Sequence, residues 1–528
     1  MAGPDEAGSR RRTFAEVPPW FPRAVPVVAA AHLLNVYLAT QRFVMDDAYT
    51  GLRYVRNLLE GRGFVYNLGE RVEGVTNTGW LLLIAALGRL GDLPAVAKLT
   101  GLVLCIAAAA IAYDLVLRIR REERAWLTHA VPVLLLVVTW YDFVYFSLTG
   151  METALLAALL GGMVYAANAR GGHWSLPVLG AAAFLVRPET VLILPLWLLA
   201  AVVGRFGSRR RLALQAVAFL ALLAGITLVR HACFGVLLPN TFHAKPTATS
   251  DVVVSLYASL AGLKTNLPIL LRGFVPLLVM AYGAVVLWRP APGRVAMIAC
   301  VVATGWLFAT YALGDWTQTG RYFGPYVPLA AIVFWTGLRE SAVGVLERVT
   351  SRRAAERIAL ALLVPLLTVT SFDLLWKTSD QYAERFPGYV ATSVALRGPC
   401  AWMRDHLPAD ATIATRRIGA LGYITDGRVL DYTYGLTDRR VARLVRQAGH
   451  QFEDPNDPAL AGVWREERPE YLLEDLDQLL PIAWTAGGTL ERFEVHGMAY
   501  RELRRFSIGR DAWWVLCARE DLRAAVRP

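Results

Sequence analysis

The chain of 528 residues is 55% hydrophobic, only 18% charged, and has a mean hydropathy of +0.40. A soluble protein of this length would carry nearer a quarter charged residues, and the apolar residues here fall in blocks of about 20, the number that spans hydrocarbon. The composition therefore excludes an ordinary soluble protein and predicts a polytopic α-helical membrane protein. The net charge of +11 is carried by short basic clusters between the apolar blocks. This is the positive-inside pattern, and it gives no reason to expect nucleic acid as a partner.

The first apolar span, about 24–43, follows a polar and basic start and has no cleavage site of small residues. We therefore expect an uncleaved span rather than a signal peptide. Asp46 and Asp47 come directly after it. Carboxylates at the edge of a bilayer are costly to desolvate, which favours a functional role, and a hydrated helix end is the alternative. Residues 47–60 have the spacing of an amphipathic helix in the membrane interface, and Gly61 ends it.

The basic clusters predict the topology if all of them lie in the cytoplasm. They occupy residues 10–12, 118–124, 205–211, 289–294 and 339–357. The crossings between them are then 24–43, 96–117, 126–145, 151–168, two short helices between Arg170 and Arg205, 212–229, 269–288, 294–313, 322–338 and 357–375. This gives about eleven transmembrane helices. Residues 79–93 are then an interfacial or re-entrant piece, and residues 376–528 lie outside.

In this topology the polar motifs of the hydrophobic region all lie on the external side. They are Asp46/Asp47, Glu152, Arg187/Glu189, His243/Lys245 and Asp315/Arg321. Random placement would divide these motifs between the two faces. We therefore predict one external polar site assembled from several loops.

After about residue 376 the apolar blocks stop and the sequence is typical of a globular domain. We expect a helix over 391–407, a turn from Gly419 to Gly427, and strands within 411–417, 428–432, 468–475 and 513–519. This alternation predicts an exported α/β or β-rich domain of ordinary size. The cysteines show no paired spacing, and the histidines show no spacing of zinc ligands. A disulfide between Cys400 and Cys517 is compatible with export, but nothing in the sequence requires it.

The polar residues suit a transferase that uses a sugar linked to a polyprenyl phosphate. Arginine and lysine bind phosphate through charge-assisted hydrogen bonds. The candidates for this role are Arg187, Lys245 and Arg321. For Arg187 the alternative is a plain ion pair with Glu189.

A carboxylate can serve as a general base or orient the acceptor hydroxyl. Neighbouring helical residues point about 100° apart. We therefore expect one of Asp46 and Asp47 to face the cavity and the other to bind a cation or cap the helix. Asp315 and Trp316 place a carboxylate beside an aromatic plane, which grips a sugar ring or else belongs to a solvated loop.

The string from Asp46 to Trp80 resembles the N-terminal signature of bacterial GT-C glycosyltransferases close to the terminal β-(1→2)-arabinofuranosyltransferase family. The matching residues are Asp46, Asp47, Ala48, Tyr49, Arg53, Tyr54, Arg56, Asn57, Gly61, Gly63, Asn67, Gly69, Glu70, Arg71, Val72, Glu73, Gly74, Thr76, Asn77 and Trp80. Further matching motifs lie at 149–157, 187–189, 237–245, 314–321 and 419–438. Val75 departs from the aromatic residue that the family tends to have there, a difference that bears on sugar stacking.

The resemblance implies a GT-C fold, with residues 1–375 as the transmembrane catalytic domain and 376–528 as an extracytoplasmic domain resembling a carbohydrate-binding module. It implies a polyprenyl-phosphate-linked sugar donor and a glycan acceptor, used at the external face of the plasma membrane. Arabinofuranose is the expected sugar, and mannose or another hexose is the alternative. Asp46 and Asp47 are then the catalytic pair. The residues expected to bind substrate are Tyr49, Arg53, Glu70, Glu73, Asn77, Glu152, Glu189, His243, Asp315 and Trp316.

The cofactor is unknown at this point, and a divalent cation is left open. A transporter or flippase of lipid-linked saccharides is the alternative class of protein. Polar groups confined to one face argue against it, because alternating access places binding sites near the middle of the membrane.

Overall fold

The computed structural model describes most of the chain. The described residues are 21–40, 43–122, 124–168, 170–243, 267–311, 321–366, 395–485, 491–508 and 513–522. Three of the predicted site residues, Lys245, Asp315 and Trp316, lie outside these ranges.

The N-terminal part of the described chain is a bundle of helices. They are α1 Phe21–Ala39, α2 Asp46–Leu59, α3 Thr78–Leu87, α4 Leu93–Ile119, α5 Val131–Thr139, α6 Tyr141–Leu148, α7 Thr153–Ala166, α8 Leu176–Val186, α9 Ile193–Val203, α10 Arg209–Phe234, α11 Asn240–His243, α12 Leu267–Trp288, α13 Pro292–Tyr311, α14 Val327–Leu346 and α15 at 352–366. Short 3-10 turns at Gly88–Leu90, Pro188–Leu192 and Gly324–Tyr326 connect some of them.

Four of these helical segments are long and apolar enough to cross a membrane. They are Leu93–Ile119, Arg209–Phe234, Pro292–Ala309 and Gly324–Leu346. A fifth results if Trp126–Thr139 and Tyr141–Leu148, which meet at 57°, form one span. Six further apolar stretches of 10–17 residues lie in the described part of the chain, among them Ala24–Ala39 of α1 and Pro276–Trp288 of α12. The larger number of crossings predicted from the charges stays a prediction.

Local sequence explains where the helices break and where they pack closely. Arg187 adopts an extended backbone between α8 and the following 3-10 turn, because a residue before proline disfavours the helical conformation. Helices α12 and α14 cross at two glycines. A Cβ on Gly283 would lie 1.9 Å from Val333 O, and one on Gly337 would lie 1.9 Å from Val279 O. Small residues at a helix crossing let two backbones touch in this way.

The C-terminal part is a mixed α/β domain, as predicted. Its elements are α16 Arg397–His406, β1 Thr412–Thr415, α17 Gly419–Ile424, β2 Arg428–Asp431, α18 Arg439–Ala448, α19 Ala461–Glu467, β3 Tyr471–Asp475, α20 Leu476–Thr485, β4 Phe493–Val495, β5 Met498–Ser507 and β6 Trp513–Arg519. The sheet order is β2-β1-β3-β6-β5-β4, with β1 parallel to its two neighbours and the other pairs antiparallel.

Three details of this domain differ from the sequence prediction. The strands β4 and β5 were not predicted. The segment from Gly419 to Gly427 is not a simple turn, because α17 forms within it. Cys400 and Cys517 are both free and buried, and they belong to separate hydrophobic cores. The sequence was compatible with a disulfide between them, but the fold keeps the two thiols apart.

Helix α2 lies between the bundle and the C-terminal domain. The predicted helix is confirmed, but nine of its fourteen residues are buried, more than an interfacial helix with one buried face requires. The buried residues of α2 belong to a hydrophobic cluster that also contains residues of α3 and of α17. The C-terminal domain therefore covers the segment that carries the acidic pair.

Candidate active site

The acidic pair lies at the start of α2, and contacts from two other segments fix this point. Met45 N donates to Thr149 O at 3.1 Å, and Lys98 on α4 donates to Phe43 O at 2.8 Å. A protonated lysine is a favourable partner for backbone carbonyls that have no partner in their own chain segment. The start of α2 is thus tied to the bundle on both sides.

Asp46 faces the C-terminal domain. Its two carboxylate oxygens accept hydrogen bonds from Ala420 N at 2.8 Å and Gly419 N at 3.2 Å, at the beginning of α17. Burial raises the pKa of Asp46, and the neighbouring charge of Asp47 raises it further, while the bonds from the backbone amides oppose both. Asp46 therefore does not cap its own helix, as one member of the pair was expected to do. It accepts instead from the first amides of α17 in the C-terminal domain.

Asp47 has a different partner from Asp46, and its side chain is partly exposed. Its Oδ2 accepts a hydrogen bond from Arg321 Nη1 at 2.7 Å. The Asp47 side chain is 39% exposed, whereas that of Arg321 is 13% exposed. Asp47 is therefore the carboxylate of the pair that can meet a substrate, and a guanidinium is already beside it.

Arg187 lies in a buried ion-pair cluster nearby. Its Nε donates to Glu189 at 2.8 Å and its Nη1 to Glu152 at 2.9 Å, and Glu152 also accepts from Asn77 at 2.9 Å. Burial alone would lower the pKa of Arg187, but the two carboxylates outweigh it and raise this pKa. Burial likewise opposes the ionised form of Glu152, and Arg187 lowers the Glu152 pKa nonetheless. The ion pair with Glu189 that the sequence left open is thus present, together with a second carboxylate.

One nitrogen of this cluster has no hydrogen-bond partner within the described part of the chain. Arg187 Nη2 is buried and donates to no acceptor there, while the side chain as a whole is only 9% exposed. A buried donor without an acceptor is costly. Arg187 therefore keeps one donor for a group that is not part of the described chain.

Tyr322 connects the two arginines, and the sequence reasoning missed it. Its ring centroid lies 5.0 Å from Arg187 Cζ and 5.1 Å from Arg321 Cζ. Guanidinium groups at this distance are attracted to the aromatic ring. One ring thus separates the ion pair of Asp47 from the cluster around Arg187. Its position directly after Arg321 was the only signal in the sequence.

Other residues predicted to bind substrate instead join the two domains. Arg53 is buried, and its three guanidinium nitrogens donate to Tyr66 O at 2.6 Å, Gly422 O at 2.7 Å and Gly427 O at 2.8 Å. The Tyr49 ring lies 5.3 Å from that of Tyr423 on α17. Since these groups are used within the protein, their predicted contact with substrate gains no support from the structure.

Glu70 and Glu73 are likewise held in ion pairs. Glu70 bonds Arg428 at 2.5 Å, and Glu73 accepts from Arg230 on α10 at 2.7 Å. Burial raises the pKa of Glu73, against the opposing effect of Arg230. These two carboxylates hold the loop between α2 and α3 (residues 60–77, the first loop) against β2 and the end of α10.

The predicted polar site is therefore only partly described. The structure brings together Asp47, Arg321, Arg187, Glu152, Glu189 and Asn77, linked by Tyr322. For His243 only the backbone of α11 is described. Within the described ranges no group of three His, Cys, Asp or Glu side chains could hold a metal ion. Glu152 and Glu189 are paired with Arg187, Asp47 is paired with Arg321, and Asp46 accepts from two backbone amides. These carboxylates therefore do not fit a metal centre, and the divalent cation stays a prediction.

The chain is similar to several known proteins in sequence and in fold. A family described as a domain of unknown function (DUF8728) matches residues 382–516. The chain is 34% identical over 248 residues to the terminal β-(1→2)-arabinofuranosyltransferase of Mycobacterium tuberculosis. That match covers 42% of this chain and 38% of the relative, so the chain spans well under half the length of the relative.

Two enzymes of known structure share the fold over most of the chain. The oligosaccharyltransferase of Archaeoglobus fulgidus in the apo form has a TM-score of 0.55 at 13% identity, covering 88% of this chain and 70% of its own. ArnT from Cupriavidus metallidurans in the apo state has a TM-score of 0.56 at 13% identity, covering 95% and 98%. The same ArnT bound to undecaprenyl phosphate has a TM-score of 0.52 at 14% identity, covering 95% and 99%. At this identity the likeness establishes the fold, and the predicted GT-C fold is confirmed.

Proposed function

We propose that this chain is a GT-C glycosyltransferase of the cell membrane. It transfers a sugar, arabinofuranose by preference, from a polyprenyl-phosphate donor to a glycan acceptor of the cell envelope at the external face. The observation that carries the proposal is the contact between Asp47 and Arg321, a partly open carboxylate 2.7 Å from a guanidinium. The reaction needs a group that accepts a proton next to a group that binds an anion, and Asp47 and Arg321 are suited to these two roles.

On the acceptor side, Asp47 orients the attacking hydroxyl and receives its proton. The hydroxyl oxygen forms a bond with the anomeric carbon while the bond from that carbon to the phosphate oxygen breaks. Asp46 does not compete for this role, because its oxygens are occupied by Gly419 N and Ala420 N.

On the donor side, negative charge develops on the departing polyprenyl phosphate. Arg321 is placed to bind this charge, since it is already beside Asp47. Arg187 is one aromatic ring away and keeps Nη2 as a donor. Planar guanidinium groups suit phosphate because they can bind two of its oxygens together.

The comparisons support the substrate classes. The match to an enzyme named as an arabinofuranosyltransferase favours arabinofuranose. The ArnT structure with undecaprenyl phosphate supports a donor carried by a polyprenyl phosphate. The apolar helices support a membrane location, and the distribution of basic clusters favours the external face for the site.

Transfer assays with two donors test the proposal. The full chain in lipid nanodiscs receives either a polyprenyl-phosphate arabinofuranose or a polyprenyl-phosphate mannose, with an arabinan oligosaccharide as the acceptor. We expect a product lengthened by one pentose, seen by mass spectrometry and absent without acceptor. A product lengthened only by a hexose would overturn the sugar assignment and leave the class of enzyme standing. Intact donor and acceptor in both reactions would overturn the class.

A further inference from the structure

A basic cavity lies where the first loop, the end of α10 and helix α18 meet. The space between its walls, including the part open to solvent, is about 350 Å³. It is lined by Glu73, Val236, Leu238, Asn240, Arg439 and Arg443. None of the reactions proposed above uses it.

The side chains of this cavity carry a net positive charge, which favours binding of an anion. The carboxylate of Glu73 is already neutralised by Arg230 at 2.7 Å. Arg439 donates through Nη2 to two backbone carbonyls, those of Arg71 and Phe234. These are its only described hydrogen bonds, and a guanidinium has five N–H donors, so Arg439 keeps its positive charge and further donors.

Arg443 adds a second positive charge to the same wall. It is exposed, and it makes no hydrogen bond or ion pair within the described ranges of the chain. Residues four apart on a helix lie on the same face. Arg439 and Arg443 therefore line the cavity together, whereas Arg440 between them is paired with Asp438, Glu466 and Glu467.

Val236 and Leu238 add apolar surface to the cavity, and both follow the end of α10. Phe234 is the last residue of α10, which ends at Gly235 with φ of 70°. Leu220 and Leu228 on this helix are 63% and 68% exposed. Leu238 at the cavity is 46% exposed. Exposed leucines of α10 and of the loop after it thus lie along the chain segment that leads to the two arginines.

We propose that this cavity binds the phosphate of an anionic membrane lipid, with the hydrocarbon chain lying along α10. The inference rests on the proposed insertion of α10 in the membrane. The phosphate can belong to a polyprenyl carrier or to a phospholipid, and both present a negatively charged phosphate above an apolar chain. Arginine beside apolar surface is the arrangement that recognises such a headgroup.

Native mass spectrometry of the full chain tests the proposal. Lipid binding is measured for Arg443→Gln and Arg443→Glu, with Arg465→Gln as the matched control. Arg465 is exposed, and its only hydrogen bond among the described residues is to Ala461 O of its own helix. All proteins also carry Arg321→Gln, which weakens phosphate binding near Asp47. The probes are a polyprenyl monophosphate, phosphatidylglycerol, phosphatidylcholine and inorganic phosphate.

We expect at least one of the two anionic lipids to bind about tenfold or more weakly in Arg443→Gln, the typical loss of a charge-assisted bond, and more weakly still in Arg443→Glu. The probe that responds identifies the lipid. The proposal would be overturned if Arg443→Glu bound the anionic lipids as tightly as Arg465→Gln does, including the case in which both variants lose binding equally. It would also be overturned if binding of phosphatidylcholine or inorganic phosphate fell as much as binding of the anionic lipids. Transfer activity of Arg443→Gln in an otherwise unchanged chain is measured separately, so that failure of the glycosyltransferase proposal and failure of this one remain distinguishable.

Discussion

Asp46 and Asp47 are adjacent in sequence but belong to different parts of the molecule. Asp46 accepts hydrogen bonds from two backbone amides of α17, and Asp47 accepts one from Arg321. The separation follows from helix geometry, because successive residues of α2 point about 100° apart. One carboxylate therefore holds the domains together, and the other is available for chemistry.

Tyr322 provides a test at the scale of a single residue. Replacing it by leucine removes the ring between Arg187 and Arg321, so the two guanidinium groups lose a cation–π partner worth about 0.5–2 kcal/mol each. We expect Tyr322→Leu to raise KM for the polyprenyl-phosphate donor about tenfold and to leave KM for the acceptor close to normal. Tyr322→Phe keeps the ring and is the control, with donor KM near that of the wild type. Equal donor KM in both variants would remove Tyr322 from phosphate binding.

Among the helices and strands, the contacts of α2 and the first loop with α17 and β2 join the bundle to the C-terminal domain. Asn67 exchanges two hydrogen bonds with the backbone of Val429, at 3.0 and 3.1 Å, on the edge strand β2. Its side-chain amide thus satisfies groups that an edge strand would otherwise leave open. Together with Arg53, these contacts make the first loop part of the C-terminal domain's own packing.

Gly422 marks the tightest point of this junction. A Cβ there would lie 1.9 Å from Tyr66 Oη and 2.9 Å from Arg53 Nη1. Overpacking a site of this kind costs about 1–3 kcal/mol, so we expect Gly422→Ala to lower the unfolding temperature and to speed proteolysis between the two domains. Gly462→Ala is the control, because nothing lies within 4 Å of its Cβ position and alanine favours a helix. Identical proteolysis of the two variants would show that the junction does not hold the domains together.

The proposed orientation is a property of the whole molecule, and single cysteines test it. Cys233 is exposed, so the background carries Cys233→Ser. We expect Leu68→Cys and Ala459→Cys, both at exposed positions, to react in intact cells with a maleimide that cannot cross the membrane. Ser208→Cys, in a basic cytoplasmic cluster, should react only after permeabilisation. Protection of Ala459→Cys in intact cells would contradict the external placement of the C-terminal domain.

Sequence reasoning reached some features of the whole molecule and missed others for definite reasons. Periodicity located α2 and four of the six strands of the C-terminal domain, β1, β2, β3 and β6, because these are local patterns, while β4 and β5 were missed. The docking of Arg53 on Gly422 and Gly427 could not be predicted, since its acceptors are backbone carbonyls more than 360 residues away and any residue supplies a carbonyl. The matching motif at 419–438 was visible in the sequence, but its contact with α2 was not.

The most direct measurement compares transfer rates of Asp47→Asn and Asp46→Asn at saturating donor and acceptor. A general base or orienting group typically contributes about 10²–10⁴ to the rate. We expect Asp47→Asn to lose activity by this factor while keeping its unfolding temperature. Asp46→Asn should unfold at a lower temperature because it weakens the contact with α17, and its folded fraction should retain most of the rate. Near-normal transfer by Asp47→Asn, or loss of transfer confined to Asp46→Asn, would contradict the assignment of Asp47 as the reacting carboxylate.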